Sequence, residues 1–361
     1  DSKAGAGEGD GGYQSKAQYH HFLQFTRCDG LTFQSSGKTG KIDGQGYMWW
    51  VREILQKNLA HRPKLIEIAQ TVNIEFSGIF VTNSPSFHIV PADVAHVYMH
   101  DFEIFVDMWG ILDLWKLFGD RFGKEYEDVH GMHLELPTFP LNTDGIDFSG
   151  KNGTFRNIKI TNFDDAIVPK PAHGGYVNAQ CTEDILVENC EVYFGVGMSI
   201  GSVPPHPQHN CVRNVTFRDI EFKHPFKAVY VKTNPIHTPH RQESGEITNI
   251  VYENLRIWHP IWWGIYIGPQ QQKQPGGAGP GCMFYPLNKD CDTDPLVPMT
   301  NITLKNVTST GGLLPAGIIR CNATNPCTGF HFEDVHISQP FWDLIGKGGY
   351  ITEYIEGTAI R

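Results

Sequence analysis

The run Asn142-Thr143-Asp144-Gly145-Ile146-Asp147 is followed by Asn162-Phe163-Asp164-Asp165. Three carboxylates, Asp144, Asp164 and Asp165, thus fall into two clusters about twenty residues apart. Carboxyl groups held together push their proton affinities apart, so that one keeps a proton while another is ionised, which general acid–base chemistry requires. An Asp-Asp pair after Asn-Phe is also an ordinary turn, and Asp144 an ordinary turn cap. The clusters meet only if the chain winds as a solenoid with a repeat of about that length, stacking successive coils on one face.

From Phe22 onward the chain breaks into short β-type runs ended by Gly, Asn or Pro. A unit opens on a small polar residue followed by alternating apolar ones, as in Val72-Asn73-Ile74-Glu75-Phe76, Arg156-Asn157-Ile158, Arg213-Asn214-Val215, Thr248-Asn249-Ile250 and Thr300-Asn301-Ile302. Second runs (Ile220-Glu221-Phe222, Leu255-Arg256-Ile257) and third runs (Ala228 to Lys232, Gly264 to Ile267) follow. Three short strands per unit describe a coil of parallel β-helix, although a β-sandwich also consists of many short strands. The recurring Asn tips the balance, because Asn tolerates the left-handed conformation and can stack into a hydrogen-bonded ladder from coil to coil. The expected architecture is an all-β, right-handed parallel β-helix: residues 1–17 a flexible Gly-rich tail, residues 18–361 a single domain. An inserted amphipathic helix is expected around 108–120, where Ile111, Leu114, Trp115 and Phe118 share one stripe; it either packs on the wall or serves as a lid or chain contact. Gly268 to Asp290 reads as a long loop.

The formal charge of -10 and the absence of a Lys/Arg-rich block exclude a nucleic-acid partner. No apolar run is long enough to span a bilayer. The chain opens Asp1-Ser2-Lys3, which is compatible with a mature secreted protein. Eight cysteines suit an oxidising compartment. Cys282 with Cys291, and Cys321 with Cys327, bracket short turn-rich loops and are the preferred disulfides, while Cys28, Cys181, Cys190 and Cys211 are not pairable from spacing. No CxxC or Cys/His ligand spacing points to zinc, so neither a metal nor another cofactor is expected. Five glycosylation sequons, at Asn152, Asn214, Asn301, Asn306 and Asn322, agree with an extracellular, secreted protein.

Further landmarks carry a family resemblance. Ile42-Asp43-Gly44-Gln45-Gly46 with Trp49-Trp50, then Asn83-Ser84-Pro85 with His88, precede the two acidic motifs; Gly195-Val196-Gly197 with Ser199 to Ser202, then Tyr230-Val231-Lys232, follow them. In this order, from about Gly30 to near the end, they resemble the polygalacturonase-type glycoside hydrolases of family 28, right-handed β-helices that cleave pectin. The resemblance implies Asp164 as general acid, with Asp144 and Asp165 positioning and deprotonating water in an inverting reaction. It implies that Lys232 meets a sugar carboxylate, and Asn142, Tyr230 and Tyr266 join Lys232 as the candidate substrate-binding residues. The chain departs from the pattern at two places: Val196 stands where the family has His, and Tyr230 where it has Arg. The coils before Ile42 are also shortened. A tyrosine cannot supply the bidentate fork of an arginine but can stack on a sugar or donate one hydrogen bond, which points toward a less acidic polysaccharide. His173, His206, His209 and His237 lie on loops and are candidates to replace the missing histidine. Trp258, Trp262, Trp263 and Tyr266 form either a sugar platform or core packing; Arg256 and His259 flank them.

Two functions remain in play. One is a secreted hydrolase of a pectin-like, galacturonan-type polysaccharide. The other is a catalytically impaired pseudoenzyme, a carbohydrate-binding or structural extracellular glycoprotein that associates with itself or with other extracellular chains. The space around the three acids discriminates between them.

Overall fold

The computed structural model describes residues 21–55, 62–113, 133–172, 175–177, 179–234, 243–271, 282, 285–287, 291, 293–339, 343–344 and 349–356. The Gly-rich tail, His173, His237 and residues 114–120 of the expected helix lie outside them.

Two parallel ladders run the length of the molecule. Long strands Ile89–Phe105, Ile146–Asn162, Cys181–Phe194, Asn210–Lys223, Gly245–Trp258 and Met299–Thr310 lie side by side in one ladder. Short strands Ile167–Pro169, Met198–Val203, Val229–Thr233, Ile265–Gly268 and Gly317–Arg320 form the other. Residues 146–148 join the short ladder by pairing with Ile167–Pro169. The chain alternates between the ladders, one long and one short strand per coil, which is a parallel β-helix.

The sequence dictates this locally. In Gly245–Trp258 the alternating residues Ile247, Ile250, Tyr252, Leu255 and Ile257 are buried. The alternation slips at Asn249 and Asn254, whose φ of 56° and 57° bend the strand around a corner that most L residues resist. Asn249 Nδ2 donates to Asn214 Oδ1 (3.2 Å) and Asn301 Nδ2 to Asn249 Oδ1 (3.2 Å). A second column runs from Asp219 through Asn254 to Asn306, at 2.9 and 2.8 Å. The expected Asn ladders are therefore real, and three sequon asparagines, Asn214, Asn301 and Asn306, are rungs in them. Asn322 donates to the Thr293 carbonyl (2.7 Å), whereas Asn152 is exposed.

Inside, successive coils stack like on like. Ile66, Ile89, Ile146, Ile167, Met198, Val229 and Ile265 occupy one register column and are all fully buried. Truncating any of them to alanine would cost about 2–5 kcal/mol. Both local disulfides form, Cys282–Cys291 and Cys321–Cys327. A third, Cys181–Cys211, links register partners on adjacent rungs. Cys28 and Cys190 are free thiols.

The helix expected around 108–120 is corrected where it is described. Trp109–Asp113 is a strand, paired antiparallel with His133–Pro137. Its exposed Trp109 and Ile111 do not form a helical stripe. A tertiary contact overrides the spacing: a Cβ on Gly110 would lie 2.5 Å from the Tyr47 ring, and Tyr47 donates to the Leu136 carbonyl (2.8 Å). The helix among the described elements is instead Tyr47–Leu55, with Trp50 and Val51 buried.

Candidate active site

The register of the short ladder determines which side chains share a face. Ile146, Ile167, Met198, Val229 and Ile265 are rung partners pointing inward. Two residues before each stand Asp144, Asp165, Val196, Lys227 and Trp263, and one residue after each stand Asp147, Val168, Ser199, Tyr230 and Tyr266. Rungs are about 4.8 Å apart, so two columns of side chains line one outer face. Asp144 and Asp165 are neighbours in the first column. Asp164 reaches the same place from the turn before Asp165.

One oxygen from each of Asp144, Asp164 and Asp165 lies within 4.8 Å of the others. The turn holding them is cross-braced. Asn162 Nδ2 reaches the carbonyls of Thr143, Asp164 and Asp165 at 3.1, 3.0 and 2.8 Å. Phe163 N–H donates to Thr143 Oγ1 (3.2 Å), and Asn142 N–H to Asp164 Oδ2 (3.1 Å). Arg62 ties the Asn142 loop down, donating to Leu141 O (2.7 Å) and Asn142 Oδ1 (3.2 Å) while pairing with Glu53 at 3.0 Å. His88 is fully buried. Its Nε2 accepts from Ser84 N–H (3.3 Å), so Nδ1 carries the proton and donates to the Asp144 carbonyl (2.9 Å). Burial lowers this imidazole to about 4, which keeps it a neutral brace.

Two ammonium groups stand among the acids. Lys232 Nζ lies 2.6 Å from Asp165 Oδ2, and Ser199 donates to the other oxygen, Oδ1. Lys170 Nζ lies 2.6 Å from Asp147 Oδ2. Burial opposes the Lys170 charge, but Asp147, Asp144 and Asp165 outweigh it and raise its pKa. Burial, and then the charge of Asp165, push the Asp164 carboxyl up to about 6. Burial, followed by Asp147 and Asp164, holds Asp144 well above the usual carboxylate range. The cluster therefore contains a proton-bearing acid beside an ion-paired carboxylate, the division that proton transfer needs. Its three oxygens are also a donor set that a divalent cation could share, although here the two lysines and the bound protons offset the charge.

The expected residues are distributed unequally. Asp144, Asp164, Asp165, Asn142 and Lys232 come together. Tyr230 and Tyr266 lie on the same face but are buried, packed edge to face at 5.8 Å with Trp263 and the Cys282–Cys291 bridge. Tyr266 donates to the Cys282 carbonyl (2.9 Å). Val196 packs against this aromatic cluster, as does Trp262. His209 instead bonds Ser244 Oγ (2.9 Å), and His206 N–H donates to the Ser244 carbonyl. Trp258 donates to Glu221 (2.9 Å), and His259 stacks on His224. Sequence reading missed Lys170, Arg62 and Lys227. The last had a usable signal, since Asp144-Gly-Ile, Asp165-Ala-Ile, Val196-Gly-Met, Lys227-Ala-Val and Trp263-Gly-Ile are one repeating phrase.

The chain is similar in sequence and in fold to known proteins. The chain is 25% identical over 330 residues to an exopolygalacturonase of Platanus acerifolia, covering 90% of this chain and 71% of that one. It is 24% identical over 339 residues to a polygalacturonase of Cryptomeria japonica, covering 90% of this chain but only 53% of that longer relative. The crystal structure of endo-xylogalacturonan hydrolase from Aspergillus tubingensis superposes with a TM-score of 0.65 at 16% identity, covering 93% of this chain and 78% of that one. The family model of the glycosyl hydrolases family 28 matches residues 6–342. The chain belongs to that family.

Proposed function

We propose that the chain is a secreted hydrolase that cleaves a galacturonan-type, pectin-like polysaccharide with inversion at the anomeric carbon. The observation that carries the reading is the Asp164 carboxyl, held to about 6 beside Asp165 in its ion pair with Lys232. Below that pH Asp164 holds a proton to give to the glycosidic oxygen as the C–O bond breaks. Asp165 and Asp144, adjacent in one column, orient a water, and Asp165 takes its proton as the water oxygen bonds to the anomeric carbon. The carboxyl oxygens are closer than the roughly 6.5–9.5 Å usual for an inverting pair. Lys232 and Ser199 each engage one Asp165 oxygen and fix the carboxylate as the acceptor of the water proton, while Asp144 favours its own proton; the reading is therefore a single displacement, which the product anomer tests. The water is thus held by two carboxyls on one side rather than between them.

The three disulfides support secretion. Val196 and Tyr230, packed into the aromatic cluster, favour a second reading, a carbohydrate-binding protein that has lost catalysis. Incubation with polygalacturonate decides between them. Reducing ends released by the wild type, lost in Asp164→Asn, with a product anomer opposite to the substrate linkage by proton NMR, support the hydrolase. Binding without release supports the second reading, and retention of configuration overturns the single displacement.

A further inference from the structure

We propose that Lys227 is a substrate-binding residue whose ammonium takes the carboxylate of a uronate unit lying in the cleft beside the bond cleaved at Asp164. The inference rests on the polysaccharide reading above and adds a cation beside Lys232 to the site.

Lys227 occupies the first column of the site face, two rungs beyond Asp165 with Val196 between them. The whole residue is buried, and its Nζ sits 3.7 Å from the Tyr230 ring centroid and 4.4 Å from that of Tyr266. Lys232 Nζ lies 4.6 Å from the same Tyr230 ring. The other cations at this site are matched internally: Lys232 with Asp165, Lys170 with Asp147, and Arg62 with Glu53. Lys227 is the exception. Among the described residues it meets aromatic faces but no ion-pair partner, and the strongest charge acting on it is the like charge of Lys232, ahead of the attraction of Asp165 and Asp164. Burial first, and Lys232 second, lower its ammonium to about 7.

A buried ammonium without a counterion is costly, and a ring quadrupole offsets only part of that cost. A carboxylate arriving from the cleft supplies the missing charge and draws a proton onto the amine. A uronate fits because it pairs a carboxylate with a sugar ring at the spacing of neighbouring units along the acidic column. A neutral hexose offers the amine only hydroxyl groups. Tyr230 thus does not leave the site short of positive charge: its ring forms the seat on which Lys227 carries that charge.

The test uses the full chain carrying Asp164→Asn, which cannot turn the ligand over, titrated calorimetrically with trigalacturonate and with its methyl ester. In that background Lys227→Met is expected to weaken trigalacturonate binding by at least about tenfold while leaving the ester within about twofold. Lys227→Met keeps an unbranched stem on the two tyrosines, and an unchanged thermal melt checks that it folds. Lys227→Arg is expected to retain the affinity and to flatten its decline between about pH 6 and about pH 8. Titration near neutral pH in buffers of different ionisation enthalpy is expected to show proton uptake that vanishes in Lys227→Met. Equal weakening of both ligands, no weakening, or uptake that persists without Lys227 overturns the proposal. Wild-type protein that binds the trimer through Lys227 without cleaving it refutes the hydrolase reading alone. Undiminished hydrolysis by Lys227→Met with unaltered affinity refutes the Lys227 role alone.

Discussion

Replacing Asp164 with Asn separates the catalytic role of its proton from the stability that proton carries. The folded chain holds this carboxyl at about 6 against an ordinary 3.8, so the folded state binds a proton that the unfolded state has released. Stability from this group is fully present below the lower value and is lost as pH rises through the higher one. Between about pH 5 and about pH 7 the loss is roughly 1.3 kcal/mol, and Asp144, also raised, adds a loss of the same sign. Asn does not titrate, so Asp164→Asn should shed its share of the slope. It will also lose part of a brace, because the carboxyl accepts from Asn142 N–H and Asp165 N–H on different oxygens and an amide offers one acceptor. That costs roughly 1 kcal/mol at either pH. Urea unfolding of both proteins at the two pH values measures the slope, and reducing-end release from polygalacturonate measures activity, expected to fall about 10²- to 10⁴-fold. A variant with the wild-type pH slope would show that another group holds the proton, and the assignment of Asp164 as the acid would fail.

Lys232→Met leaves Asp165 as a buried, unpaired charge and should destabilise the fold by about 3–5 kcal/mol, read from the urea midpoint. Because Lys232 holds the Asp164 pKa down, the alkaline limb of any remaining pH–rate profile should move to higher pH; an unmoved limb would contradict the coupling. Gly197→Ala should be severe, since φ is +82° and a Cβ would lie 2.3 Å from the Ala228 carbonyl and 2.4 Å from that of Lys227. The left-handed strain alone costs about 1–3 kcal/mol, and a soluble variant with a wild-type melt would refute the close coil contact. In a secretory host, glycopeptide mass spectrometry should find occupancy concentrated at Asn152 rather than at the rungs Asn214, Asn301 and Asn306, which are likewise exposed but whose side-chain amides donate along the ladders. Full occupancy of a rung asparagine with an unchanged melt would show that its ladder bond is dispensable.

The solenoid was legible because its determinants are local. An Asn in left-handed conformation followed by alternating apolar residues is a corner and a strand wherever it occurs, and Asn214, Asn249 and Asn301 needed no partner to announce themselves. The acids were legible because they sit in a motif. What escaped were relations between coils. Cys181 and Cys211 are 30 residues apart, a separation that means nothing until register makes them neighbours. The Trp109–Asp113 strand misled for the opposite reason: its apolar spacing suits a helix, and only the Tyr47 ring seated against Gly110 shows why it is extended.

Lys227 and Tyr230 show how register changes the meaning of a substitution. Read along the sequence, tyrosine at a position where the family resemblance leads one to expect arginine is a lost cation, and lysine three residues earlier is an unrelated surface charge. In the coil those two residues belong to neighbouring columns, and the lysine ammonium folds over the tyrosine ring at 3.7 Å. Arginine at 230 would place a third cation, a guanidinium, beside Lys227 and Lys232, in a setting where burial already depresses the Lys227 charge. Asp165 matches Lys232 alone, so the guanidinium and Lys227 would stand unmatched and repel by several kcal/mol at an effective dielectric of about 20. The aromatic ring removes that repulsion and adds a favourable face of roughly 0.5–2 kcal/mol for the ammonium that remains. Lys227 and Tyr230 therefore act as one unit, and restoring arginine at 230 without removing Lys227 is expected to weaken trigalacturonate binding rather than strengthen it. Tighter binding by Tyr230→Arg in the same calorimetric titration would show that the two positions are independent.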